Sequence, residues 1–91
     1  MRKRVEINVF GNVQGVFFRQ GVKNKADEFE VSGFVKNLED GSVKIIAEGE
    51  EDKLEKLIDW CKNSPGFAEV KEVKIDWLEA ENKFNDFRII F

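Results

Sequence analysis

Among its 91 residues the chain has no histidine and only one cysteine. Without histidine there is no His-centred triad and no imidazole general base, and most zinc sites are excluded. The lone thiol, Cys61, cannot form an intrachain disulfide, so nothing points to an oxidising compartment. No apolar run approaches the roughly 20 residues of a membrane span. Arg2-Lys3-Arg4 leads into an alternating pattern rather than a signal-peptide core, so a cytoplasmic setting without a membrane partner is expected. A net charge of −3 denies the chain the basic face that nucleic-acid backbones require. Both Gly-x-x-x-x-Gly-Lys-Ser/Thr and Gly-x-Gly-x-x-Gly are absent, which argues against nucleotide triphosphatases and dinucleotide enzymes. No acidic cluster has metal-ligand spacing. Neither a metal nor a cofactor is expected.

What is present is hydrophobic periodicity. Val5, Ile7 and Val9 alternate with polar residues as a strand. Val22, Ala26 and Phe29 form a helical stripe over about Gln20 to Phe29. Ser32 to Leu38 reads as a second strand, followed by an Asp40-Gly41 hairpin signal and a third strand through Val43, Ile45 and Ala47. Leu54, Leu57, Ile58 and Cys61 then fall on one face of a helix over Glu50 to Lys62, which makes Cys61 a small buried apolar residue rather than a nucleophile. The only proline, Pro65, sits in the helix stop Asn63-Ser64-Pro65-Gly66. Val73, Ile75 and Trp77, then Phe87, Ile89 and Phe91, alternate as two closing strands. The order βαββαβ plus a short last strand predicts a single α+β domain over residues 1–91. Its expected form is a ferredoxin-like α/β sandwich with two helices on one face of an antiparallel sheet. The acidic runs Glu48 to Asp52 and Glu79 to Glu81 read as solvated surface.

The most informative stretch is Gly11-Asn12-Val13-Gln14-Gly15-Val16-Phe17-Phe18-Arg19, between the first strand and the first helix. Glycines permit backbone conformations that let N–H groups converge, and an arginine at a helix start adds a fixed fork of donors. Such parts suit a tetrahedral anion, with Lys23 and Lys36 as candidate neighbours of Arg19. Gly21 reads as a tolerated small residue near the helix start. Strand parity places Asn37 on the face of Val35, the helix-covered side, where an amide is able to hold a water by donating and accepting at once. Each residue alone has an ordinary reading: a tight turn, a surface ion pair, a hairpin entry. None of them decides for a site on its own.

Gly11 to Arg19, with Gly33-Phe34-Val35-Lys36-Asn37-Leu38 and Asp40-Gly41-Ser42-Val43, resembles the acylphosphatase family over nearly the whole chain. The resemblance implies metal-free hydrolysis of a small-molecule acyl phosphate. It implies phosphate held by backbone N–H groups of Gln14, Gly15, Val16, Phe17, Phe18 and Arg19 and by the Arg19 guanidinium, with Asn37 orienting the water. The Phe17-Phe18 pair and Phe34 are candidates to flank the site. The chain departs from the family pattern at Asn12, where a basic residue is common. It departs again at Glu30, where glycine is usual and a left-handed helix end would strain a larger residue. A monomer is expected. The alternatives are a non-catalytic phospho-ligand or regulatory module, an RNA-binding sheet face, and a domain acting like those of larger carbamoyl-transferring proteins.

Overall fold

The computed structural model describes residues 1–63 and 66–91. Its elements are β1 (Arg2–Asn12), α1 (Phe18–Glu28), β2 (Ser32–Asn37), β3 (Val43–Glu50), α2 (Glu51–Lys62), β4 (Glu69–Glu79) and β5 (Phe87–Ile90). The strands form one sheet in the order β4-β1-β3-β2-β5. β1 pairs antiparallel with both β3 and β4, and β2 pairs antiparallel with β3. The alternation of Val5, Ile7, Val9, Val35, Val43, Ile45 and Ala47 puts these side chains on one face. There they are buried with Val22 and Ala26 of α1 and Leu54, Leu57, Ile58 and Cys61 of α2. Each valine, leucine or isoleucine among them, removed from water, stabilises the fold by about 1.5–3 kcal/mol.

The sheet is mixed rather than wholly antiparallel, because β5 runs parallel to β2. Its direction follows from the route of the chain. β4 lies at one edge beside β1, and the connection then crosses the open face to reach the other edge. Glu48 anchors that crossing. It is 0% exposed, and its carboxylate accepts the N–H groups of Glu81 (2.7 Å) and Asn82 (2.9 Å) and a bond from Arg4 Nη1 (3.3 Å). Burial alone would raise its pKa. The two backbone donors and the guanidinium outweigh that and hold the carboxyl below its ordinary value. The acidic run beginning at Glu48 is therefore not all solvated surface. Phe84 completes the crossing by packing edge-on against Phe34 under the Arg4 guanidinium.

Three local details bear on the site. β1 continues to Asn12, with a register shift between Phe10 and Gly11. A Cβ on Gly11 would run into the carbonyl oxygen of Glu69, so this glycine serves the close approach of β4 and only residues 13–17 remain as loop. α1 begins at Phe18, earlier than its apolar stripe indicates, because Phe18 is itself core and stacks on Trp60 with ring centroids 5.7 Å apart. A Cβ on Gly21 would come within 2.7 Å of the same Trp60 ring, so that ring fills the space the glycine leaves. After α1, Glu30 takes φ 59°, the left-handed conformation expected from its position. α2 ends at Lys62 as its stop signal implies, although Ser64 and Pro65 of that signal lie outside the described residues.

Candidate active site

The loop joins the sheet to α1 through two left-handed residues, Gly15 (φ 73°) and Phe17 (φ 61°). Phe17 is the N-cap of α1 and offers no side-chain cap, and no acidic residue stands in the first turn. The first helical bond runs from Gly21 N–H to the Phe17 carbonyl (3.1 Å). Among the described residues, no backbone or side-chain acceptor takes the N–H groups of residues 14 through 20. A helix start carries partial positive charge and orphan donors, which are ordinarily answered by a cap, water or a ligand. Here the polypeptide supplies no such cap. An L-residue at positive φ is strained, and a bulky one markedly so. Its presence at Phe17 fixes how the chain enters α1 and so where the first-turn N–H groups point.

These donors border a cavity of about 300 Å³ lined by Val13, Gly15, Phe17, Phe18, Arg19, Gln20, Ile89 and Phe91. Gly15 faces open space, and Phe17 is 85% exposed at the rim, whereas Phe18 turns its ring into the core. Arg19 lies in the first turn of α1 and forms no ion pair among the described residues; its guanidinium carbon sits 4.7 Å from the centroid of the Phe91 ring. Neither of the two lysines considered as its neighbours lines the cavity. Lys23 pairs with Asp27 at 2.8 Å, and Lys36, with parity opposite to Val35, projects from the open face of the sheet. Phe34 is likewise on the open face and does not flank the cavity. Cys61 is sealed in the core, where desolvation pushes its thiol pKa up to about 12, so no thiolate is available.

Asn37 ends β2 opposite Val43, on the helix-covered side as parity predicts. Its Oδ1 is buried without a hydrogen-bond partner. It does not line the loop cavity itself. The link between the two is Gln14, whose side-chain Nε2 donates to the carbonyls of Leu38 and Ser42, both at 2.8 Å. Sequence reasoning placed Gln14 in the loop for its backbone and missed this side-chain role. No local pattern signals it, because the partners lie 24 and 28 residues away. The Phe91 ring against Arg19 was missed for the same reason.

The α/β sandwich has an uncapped helix start and, over a small cavity, an arginine with no ion pair among the described residues. Known sequences narrow the class. The acylphosphatase family pattern matches residues 5–89. Acylphosphatase from Geotalea uraniireducens is 45% identical over 91 residues, with both chains covered completely. That from Pyrobaculum islandicum is 44% identical over 88 residues, covering 96% of this chain and 93% of the relative. The crystal structure of acylphosphatase from Bacillus subtilis superposes with a TM-score of 0.93 at 35% identity, with full coverage of both chains. The chain belongs to the acylphosphatase family, hydrolases that act on acyl phosphates.

Proposed function

We propose that the loop and Arg19 hold the phosphate of an acyl phosphate while Asn37 orients the attacking water. The observation that carries this reading is that, among the described residues, the N–H groups over residues 14–20 are unclaimed and lie beside an arginine with no ion pair. Backbone N–H groups of Gln14, Gly15, Val16, Phe17, Phe18 and Arg19, with the guanidinium, would take the phosphate oxygens. The loose transition state of phosphoryl transfer spreads charge over those oxygens, so positioned donors supply most of the catalysis. The buried, unpartnered Oδ1 of Asn37 is an acceptor for a water O–H. Water oxygen bonds to phosphorus as the P–O bond to the acyl group breaks. The carboxylate leaves with the bonding electrons, and the water's proton passes to a phosphate oxygen.

This chemistry asks little else of the protein. A carboxylate is a stable leaving group that departs without protonation, so no general acid is required, and the absence of histidine is consistent with that economy. The same argument disfavours phosphate monoesters, whose alkoxides leave only with a proton. The test is hydrolysis of acetyl phosphate in EDTA, compared with a phosphate monoester. Turnover of the first and not the second is expected. Dependence on added metal, or equal rates on both, would overturn the mechanism.

A further inference from the structure

We infer that the Gln14 carboxamide is a positioning residue that sets Asn37 relative to the phosphate loop. Its NH₂ group donates to Leu38 and Ser42, the residues that immediately follow Asn37 and precede Val43. Asn37 and Val43 form the last pair of the β2–β3 ladder, so the carboxamide bridges the neck of that hairpin one residue beyond Asn37. The Ser42 carbonyl also accepts the Leu38 N–H at 2.9 Å, and Asp40 Oδ1 accepts the Ser42 N–H at 2.9 Å. The neck is thereby braced internally, and Gln14 ties it to the loop. No other side-chain hydrogen bond among the described residues joins residues 13–20 to β2, β3 or their turn. The loop and the hairpin arise from separate parts of the chain, and Asn37 does not line the loop cavity. The Gln14 bonds are therefore the polar link that relates a water on Asn37 to a phosphate in the loop. In-line attack is sensitive to that relation, and a displacement of about 1 Å can cost about 100-fold in rate.

This inference rests on the water-orienting role of Asn37 and adds a coupling to it. The test is a double-mutant cycle of Gln14→Ala and Asn37→Ala, read as kcat for acetyl phosphate and as the inhibition constant of inorganic phosphate. Gln14→Met serves as a similar-sized, uncharged second variant whose thioether cannot donate. With each single Gln14 variant, kcat is expected to fall about 10- to 100-fold, with phosphate inhibition within about twofold of wild type. In the Asn37→Ala background, the Gln14 substitutions should cost almost nothing more, because residues acting through one another are non-additive. A full multiplicative loss in that background, or a loss of phosphate affinity with kcat preserved, would overturn the coupling. Circular dichroism checks the fold, and failure of both Gln14 variants to fold would overturn the positioning role in favour of a stabilising one. Wild-type turnover by Asn37→Ala would instead remove the role of Asn37 on which the coupling depends.

Discussion

The Arg19 guanidinium lies over the ring of Phe91, 4.7 Å from its centroid, and among the described residues it is paired with no carboxylate. A cation held by an aromatic face keeps its in-plane N–H donors available, whereas an ion pair would occupy them. Arg19→Gln is expected to lose phosphate affinity and turnover together, by about 100- to 1,000-fold in kcat. Inhibition by inorganic phosphate measures the first loss and steady-state kinetics the second. Retention of phosphate affinity would move the anion site away from Arg19.

Asn37→Ala should separate the two effects. Its amide is proposed to meet water rather than phosphate, so kcat should fall while the inhibition constant of inorganic phosphate stays near wild type. Equal turnover by variant and wild type would take Asn37 out of the reaction.

Glu48 should govern acid stability. Its folded pKa is depressed, despite burial, by the Glu81 and Asn82 N–H groups and by Arg4. A carboxyl depressed on folding contributes stability that is present above its unfolded pKa. That stability is lost as pH falls through the folded value. Glu48→Gln puts an NH₂ group against backbone donors and should destabilise the protein at neutral pH by about 1–3 kcal/mol. Urea denaturation at pH 7 and at pH 3 should reveal the loss at the higher pH and a smaller difference at the lower. The same stability gap at both values would assign the effect to packing alone.

Glu30→Gly is expected to stabilise. Glu30 is exposed and left-handed (φ 59°). An L-residue in that conformation costs about 1–2 kcal/mol, part of which is offset by the greater unfolded-state freedom of glycine. A net gain of about 1 kcal/mol would raise Tm by about 4–8 °C for a domain of this size. An unchanged or lower Tm would contradict the assigned strain.

Gly21→Ala should do the opposite, although alanine is the better helix former by about 1 kcal/mol. The new methyl would meet a Trp60 ring already stacked on Phe18. Thermal unfolding should show a lower Tm, and a higher one would mean that the ring moves aside without cost.

Much of the fold was legible because its determinants are local. Val5, Ile7 and Val9 declare a half-buried strand by alternation, and Leu54, Leu57, Ile58 and Cys61 declare a helix by theirs. Parity placed Asn37 on the helix-covered face from Val35 alone. The unreadable parts depend on residues remote in sequence. Glu48 sits in an acidic run whose neighbours are mostly solvated, and its burial depends on Arg4 and on a crossing more than 30 residues later. Gly21 is explained by Trp60, and the parallel direction of β5 by the route of the connection before it. The loop stood out by its glycines and arginine, but the Gln14 tie to the hairpin depends on a packing that no spacing rule encodes.

That tie also has a kinetic consequence. Only β2 and β3 are both consecutive and adjacent in the sheet; β1 must enter between β3 and β4, which close over much longer stretches of chain. Long-range pairings of this kind slow folding, because loop-closure entropy is lost before the contacts that repay it form. Gln14 reaches its two carbonyls only once β1 has docked beside the β2–β3 hairpin. Catalytic competence should therefore return on refolding with the slow, global recovery of native tryptophan fluorescence, to which the half-buried Trp60 contributes, and not with the early formation of helix.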